Sequence, residues 1–428
     1  MSATGPRWFA FLESNTTGTG RDFCAAARAR GLRPVLLTRD PGRYPYVAED
    51  GVETVVLDSS DADAVYERCA ALADGSGLAG IASSSEYFVA TAARTAAKLG
   101  LPAPDGDAVA ACRAKDVQRA ALAAAGVPVP RFEAVGEVDA AVAAAAGIGH
   151  PVVLKPVSGS GSVGVKLCRD PAETEAWARE LLGRATDERG TPVPSRILVE
   201  AAVVGPEFSV ETFDDTVVTV VGKHTGPEPY FVETGHDVPA PVAPATVAAL
   251  GDTARAALAA LGLGWGAAHT ELRMSAQGPV VIEVNPRLAG GMIPVAVRAA
   301  TGRDLVDEVI AKAAGQDAQP AAPGASHAAI RFLLAQDDGR EGRIAAVEGV
   351  AAAAQAPGVV TAATTGTATV GRTLRITHSF QDRLGCVVAT GASGDEAQRH
   401  ALDAAGLIRI ELENQTHEAS ESEGVGGR

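Results

Sequence analysis

Residues 267–294 read AAHTELRMSAQGPVVIEVNPRLAGGMIP, and their alternation decides how the rest of the chain is read. Two runs of alternating polar and apolar residues flank Ala276-Gln277-Gly278, which predicts an antiparallel hairpin with glycine at the left-handed position of a three-residue loop. With Ser275 and Pro279 as the closing pair, Arg273 faces Val281 and Glu271 faces Glu283; a bulge would slip this by one residue. Alternation then puts Glu271, Glu283 and Asn285 on one face. Like charges directly opposite are destabilising, so the pattern calls for a compensating cation. Two carboxylates and an amide oxygen suit Mg2+, leaving positions for water and phosphate oxygens; the competing reading is an exposed polar face without metal. Arg287 offers a planar fork for a carboxylate or phosphoryl group. Gly290 and Gly291 lead into a helix whose N-terminus attracts anions, or else form a plain loop.

A second stretch, HPVVLKPVSGSGSVGVKLC (150–168), carries Gly159, Gly161 and Gly164 in G-x-G-x-x-G spacing. A dinucleotide site needs a helix to start at the third glycine. Instead Val165 to Cys168 alternate, and Asp170-Pro171-Ala172-Glu173 signals a helix from about 171. The glycines therefore join two strands, PVVLKP and GVKLC. Such a hairpin can close backbone N–H groups over a phosphate chain; a mobile hairpin without a ligand is the alternative. No Gly-Lys-Ser/Thr follows, which excludes a Walker A loop.

Composition narrows the class. With 428 residues, 46% hydrophobic and 21% charged, the chain reads as globular and long enough for two to four domains. A net charge of −15 argues against nucleic-acid or membrane partners, which select basic surfaces. No apolar run approaches the ~18 residues of a membrane span, and the start MSATGPRWFAFLES lacks a basic, then apolar, leader pattern. Cys24, Cys69, Cys112, Cys168 and Cys386 form no C-x-x-C pair, so a cytoplasmic location is expected and a thiolate zinc site is not. Neither H-E-x-x-H nor G-x-S-x-G occurs.

RWFAFLE, RPVLLTR, VETVVLD and LAGIASS read as strands alternating with helices over 20–30, 61–73 and 87–99, hence parallel βαβ units. The turn Ser14 to Gly20 lies where open α/β sheets bind ligands, although a helix-capping turn reads equally well. Proline-rich LGLPAPDG and AGVPVPRF bracket a helix carrying Lys115. From 132 to about 316 strands and helices mix, as in α+β folds. Beyond AAPGA, HAAIRFLLA, GRTLRITHSF, LGCVVATG and LIRIEL read as antiparallel strands around a helix over 394–405, forming a small third domain. The polar tail from 413 reads as disordered.

Taken in order, CRAKDVQRAALAAAGVPVP, VVLKPVSGSGSVGV, ILVEAAVVGPEFSVETF and TELRM…VVIEVNPRLAGG resemble the ATP-grasp superfamily of carboxylate ligases over about 113 to 312. The resemblance implies an α/β and α+β architecture: a Rossmann-like preATP-grasp domain over 1–112, an ATP-grasp domain of two clasping subdomains over 113–318, a small C-terminal α+β domain over 319–412 and the tail. It implies that Lys115 and Lys155 contact adenine or phosphates, and that Ser158, Gly159, Ser160, Gly161, Ser162 and Gly164 cover the phosphates. Glu200, Ala201 and Val203 match the adenine-reading hinge and Glu207 the ribose carboxylate. Glu271, Glu283 and Asn285 match ligands of Mg2+, with Mn2+ able to replace it, and Arg287 the arginine beside the transferred phosphoryl group. Each lysine read alone is equally a solvated surface residue.

FLESNTTGTG, GKHTGPEPYFVETGH and NPRLAGG look most like carboxylate–amine ligases of the L-amino-acid ligase type, often found in natural-product pathways. The implied reaction phosphorylates a carboxylate with ATP and lets an amine attack the acyl phosphate, releasing ADP and phosphate. Small-molecule carboxylate and amine substrates, amino acids foremost, and a homodimer are expected. In a chain with 4% aromatics, GKHTGPEPYFVETGHDVP gathers Lys223, His224, Tyr230, Phe231, Glu233 and His236 into one expected substrate loop. Glu233 is the candidate for a substrate ammonium and His236 for the amine's proton; core packing and capping are the competing readings. His269 shares the face of Glu271 and either lines the site or satisfies a buried hydrogen bond. Alternative functions are a carboxylase-type enzyme of the same fold, a nucleotide-binding scaffold without turnover, and a dinucleotide oxidoreductase.

Overall fold

The computed structural model describes residues 5–15, 20–75, 77–186, 190, 192–335 and 342–413. Residues 16–19 of the expected first turn and the expected tail from 414 onward lie outside them. The strands Trp8–Leu12, Arg33–Thr38, Glu53–Val56 and Leu78–Ala82 form a parallel sheet in the order third, second, first, fourth. Alternate residues of the first strand enter different cores: Phe9 and Phe11 join one cluster, Ala10 and Leu12 another. Such double burial is what helices on both faces of a parallel sheet produce.

Where one helix was expected around Lys115 there are two, Gly106–Arg113 and Lys115–Ala124. Ala114 between them is extended (φ −86°, ψ 100°), and Lys115 N–H donates to the Val157 carbonyl at 2.8 Å. The second helix buries Lys115, Gln118, Arg119 and Leu122. An antiparallel four-stranded sheet follows, in the order Phe132–Val135, Ile197–Ala201, Val152–Pro156, Lys166–Cys168. The glycine stretch joins the last two strands, and the helix Pro171–Leu182 starts where its signal stands, with Glu173 N–H donating to Asp170 Oδ1 at 2.8 Å.

The largest sheet has eight antiparallel strands: Gly278–Asn285, Ala267–Ser275, Glu207–Phe213, Thr216–Thr225, Glu233–Val238, His327–Leu334, Arg383–Gly391 and Val359–Thr364. The C-terminal strands are thus not set apart; His327–Leu334 pairs directly with Glu233–Val238. Of GRTLRITHSF only Thr373–Leu374 is strand. Thr377 Oγ1 donates to Asp382 Oδ1 at 2.7 Å and Ser379 caps the short turn Phe380–Asp382, local bonds that compete with a ladder. The strands Gly342–Glu348 and Val359–Thr364 escaped the sequence reading.

The hairpin closes differently from the expected three-residue loop. Ser275 pairs with Gly278, so two residues make the turn, and a bulge between Glu271 and Leu272 absorbs Ile282. The two departures cancel, and Glu271 stands opposite Glu283. Gly278–Asn285 is an edge strand, a liability in any sheet. It is sealed by side chains of the Lys115–Ala124 helix: Gln118 bonds the N–H and carbonyl of Val284, at 2.9 and 2.8 Å, and Arg119 donates to the carbonyls of Val281 and Ile282.

Gly205 lets the 203–207 turn pass against this hairpin at φ 144°; a β-carbon there would overlap the Met274 carbonyl. Gly205→Ala should therefore destabilise the chain by about 2 kcal/mol or more, combining backbone strain with the clash. Urea unfolding measures this directly; a midpoint equal to wild type would show that the turn relaxes freely.

Candidate active site

The four-stranded antiparallel sheet and the eight-stranded sheet both contribute to a cavity of about 620 Å3, lined by residues 158–163, Lys115, Lys155, 200–205, Glu207, Lys223, Glu233, Glu271 and Glu283 among others. The glycine segment is fastened at several points. Lys115 Nζ donates to the Gly159 carbonyl at 2.6 Å, Phe380 N–H to the Gly161 carbonyl at 3.0 Å, and Ser162 Oγ to the Phe231 carbonyl at 3.0 Å. The Phe380 ring lies so close over the Gly161 Cα that no β-carbon fits.

One side holds a buried ion triad. Glu200, placed by sequence in the adenine hinge, sends its side chain to Lys155 at 2.6 Å and to Arg119, whose Nε donates at 2.7 Å. Burial would raise the Glu200 carboxyl, but Lys155 and Arg119 outweigh it and hold it below its ordinary value. Burial, with Arg119 nearby, lowers Lys155 despite Glu200.

On the facing sheet, register builds a row of polar residues. Glu207 pairs with both Lys223 and Arg273, Ser209 with Glu271, Glu211 with His269, and Glu271 and His269 in turn with Glu283 and Asn285. Lys223, expected in a loop, lies in the strand Thr216–Thr225; its ammonium touches Glu207 at 2.9 Å, Glu233 at 2.8 Å and Glu271 at 3.0 Å. Burial would lower it, yet Glu233, Glu271 and Glu207 hold it well above the usual lysine value. His269 donates to Glu211 at 2.7 Å and Glu271 at 3.1 Å; against the pull of burial these carboxylates raise it to about 9.

The compensating cations that the hairpin demanded are therefore already in the chain. Lys223 serves Glu271 and Lys115 serves Glu283 at 3.0 Å, so opposition of the two glutamates does not by itself require a metal. Among the described residues, no three His, Cys, Asp or Glu side chains gather as a metal cage.

Other expected site residues stand outside the main cavity. Arg287 ion-pairs with Glu86, which follows the fourth parallel strand, and its NH2 lies 3.4 Å from Asn285 Oδ1. Tyr230 leaves for a smaller cavity with Gly164, where its ring stacks on His378 at 3.8 Å and meets Trp177 edge-on. His236 is fully buried, packed edge-on to Phe332 near Gly291, and its two ring nitrogens have no hydrogen-bond partner; burial pushes it down to about 3. An imidazole held neutral so firmly is a poor proton acceptor. Glu233 has both oxygens engaged, one by Lys223 and one by Arg383, and offers little to a substrate ammonium. Gly290 and Gly291 do precede a helix, Ile293–Thr301.

Sequence reasoning passed over Arg119, Glu86, Arg273 and Arg383. Arg119 follows Lys115 by four residues on one helix face, and Arg273 alternates with Glu271 and His269, so both carried a periodic signal. Glu86 and Arg383 carried none.

Comparison with known proteins gives this geometry a lineage. An uncharacterized protein of Sinorhizobium fredii is 36% identical over 386 residues, covering 90% of this chain and 79% of that one. Family models for an ATP-grasp N-terminal domain, an ATP-grasp domain and an L-amino acid ligase C-terminal domain match residues 24–103, 148–295 and 331–413. The chain belongs to the ATP-grasp superfamily of carboxylate–amine ligases. The alanine–anticapsin ligase of Bacillus subtilis is 29% identical to this ligase over 253 residues, 54% of this chain. The match spans 53%, about half, of that relative's length. The L-amino acid ligase of Bacillus licheniformis shares the fold, with TM-score 0.78 at 22% identity over 96% of this chain and 100% of that one. No helix among the described residues is long and apolar enough to cross a membrane.

Two outcomes follow from the electrostatics. Lys223→Met leaves three buried carboxylates without their shared cation and should cost about 3 kcal/mol or more at pH 7. Glu233 lies well below its ordinary 4.5, so the stabilisation is present above that value and fades as pH falls; urea unfolding of variant and wild type should converge towards acid. His236, held neutral, resists a proton that the unfolded chain accepts below 6.5. Wild type should lose about 1 kcal/mol per pH unit just below that point relative to His236→Phe, checked by paired melts between pH 7 and 5.

Proposed function

We propose that the chain is an ATP-dependent ligase that activates the carboxylate of an amino acid as an acyl phosphate and couples it to an amine, releasing ADP and phosphate. The observation carrying this reading is the convergence on one cavity of the glycine segment 158–163, the backbone of 201–203, Lys115, Lys155, Glu207 and the Glu271–Glu283 pair. A carboxylate is a poor electrophile; once phosphorylated, it yields to an amine. The nitrogen forms the C–N bond, the C–O bond to phosphorus breaks, phosphate leaves with the electron pair, and the nitrogen sheds a proton. No nucleophilic side chain is needed, so positioning and charge neutralisation are the protein's part.

In this proposal the N–H groups of 158–163 cover the phosphates, Lys115 and Lys155 oppose their charge, the backbone of Ala201 and Val203 reads the base, and Glu207 holds the ribose. Arg287, steadied by Glu86, attends the transferred phosphoryl group. Glu271, Glu283 and Asn285 would hold Mg2+, with water and phosphate oxygens completing the shell; two carboxylates and an amide fit such a partial set. When bound, the ion would neutralise charge on the phosphate oxygens. Lys115 and Lys223 already balance these carboxylates, so their ammonium groups must share them with the ion or swing towards phosphate. A role in making a small natural product belongs to the proposal, supported by the match to a ligase named for alanine and anticapsin.

Amino acids supplied in pairs with ATP and Mg2+ should give ADP and a condensed product visible by mass spectrometry; ADP formation that requires bicarbonate would favour the carboxylase reading instead. Glu283→Ala should raise the Mg2+ concentration for half-maximal ADP release about tenfold or abolish turnover, with its melting curve showing a folded chain. An unaltered Mg2+ dependence would remove Glu283 from the metal.

A further inference from the structure

We infer that Phe380 is a positioning residue, whose ring and backbone N–H seat the glycine segment over a bound nucleotide's phosphates. The inference rests on the nucleotide site of the ligase reading above and adds to it a residue from outside the main cavity.

The glycine segment needs such a support. Val163 lines both the main cavity and the smaller one beside Trp177, so the segment is a thin wall between spaces of about 620 and 260 Å3. Gly159, Gly161 and Gly164 stand at φ 126°, 61° and 76° and give the wall little stiffness of its own. A cover free to shift into either space would not hold its N–H groups on phosphate oxygens, and fixed orientation is what a phosphate site has to supply.

Phe380 braces the segment from the other sheet. The segment joins two strands of the four-stranded sheet, whereas the turn Phe380–Asp382 leads directly into Arg383–Gly391 of the eight-stranded sheet, which carries Glu271 and Glu283. The turn is stiff. Buried Asp382 accepts from the Thr377 N–H and from Thr377 Oγ1, each at 2.7 Å, and its carbonyl accepts from the Ala335 N–H at 2.8 Å. From this base the Phe380 N–H donates to the Gly161 carbonyl at 3.0 Å, and the ring covers the Gly161 Cα so closely that a β-carbon there would overlap ring atoms. Among the described residues that half-buried ring belongs to none of the hydrophobic cores. Core packing therefore does not account for it.

Backbone strain marks the same place. Ser162 (φ 62°) and His378 (φ 53°) are left-handed non-glycine residues, one on each side of the contact. Such conformations persist only where their surroundings hold them, and they gather at ligand clamps. Ser162 is held by its Oγ bond to the Phe231 carbonyl at 3.0 Å, and His378 by its stack on Tyr230. Adjacent residues of one loop thus steady both the segment and the turn that pins it.

The test measures, by calorimetry with Mg2+, the Kd of an ATP analogue that has an imido bridge between its β- and γ-phosphates. Wild type is compared with Phe380→Ala, Phe380→Leu, Gly161→Ala and the double variant carrying Gly161→Ala and Phe380→Ala, with melting curves to show which chains fold. Phe380→Ala should raise Kd about tenfold and Phe380→Leu less. Gly161→Ala should also weaken binding, because its β-carbon meets the ring. Removing the ring relieves that clash, so the double variant should lose less than the two single losses combined. Additive losses, or an unchanged Kd in a folded Phe380→Ala chain, would overturn the inference and leave the ligase reading standing. Should Phe380→Ala fail to fold, Phe380→Leu decides in its place, an unchanged Kd again overturning the inference. Wild type that binds the analogue yet releases ADP with no amino-acid pair would sink the ligase reading, while the Kd comparison still decides the role of Phe380. Wild type without affinity for the analogue would remove the nucleotide site and this role together.

Discussion

One buried ammonium, that of Lys223, sits among carboxylates from three other strands of its sheet, and the polar face of the eight-stranded sheet is organised around it. Glutamates at such density repel one another once water is excluded. The sheet tolerates them because register sets cations between them: Lys223 for Glu207, Glu233 and Glu271, imidazolium of His269 for Glu211 and Glu271, Lys115 for Glu283. Alternation supplies the opposite face with Phe208, Val210, Leu272 and Val284, which make a separate apolar core. The same two-residue period that builds the core thus also builds the site.

Much of this was legible because it is local. The hairpin, the glycine segment between strands and the capped helix after it each carry their signal within a dozen residues. The opposition of Glu271 and Glu283 was reached by an expected register that differs from the real one at both the turn and the bulge, two shifts of equal size and opposite effect. What escaped is long-range. Arg119 meets Glu200 across 81 residues, Arg383 meets Glu233 across 150 and Arg287 meets Glu86 across 201. No periodicity links such partners; only the folded topology does. The loop expected over 222–239 failed for a related reason. Its polar residues belong to two strands whose faces look into the site, and polarity on a strand buried against a cavity imitates that of a loop.

Charge compensation changes how ligand binding is to be pictured. A site whose acids are already paired with internal cations does not wait as a pool of negative charge. On the proposed reading, incoming ions and phosphates would exchange partners with Lys115, Lys155 and Lys223, and the binding energy would be a difference between two well-satisfied arrangements.

The continuity of the eight-stranded sheet bears on any attempt to treat the chain as separable modules. A cut near residue 318, where composition marks a seam, would strip His327–Leu334 from Glu233–Val238 and bare a row of backbone donors and acceptors. It would also unseat Phe380 from Gly161. A fragment ending there would be sticky at its new border and slack along its glycine segment, so grafting the C-terminal portion between relatives has to preserve a strand register as well as a fold.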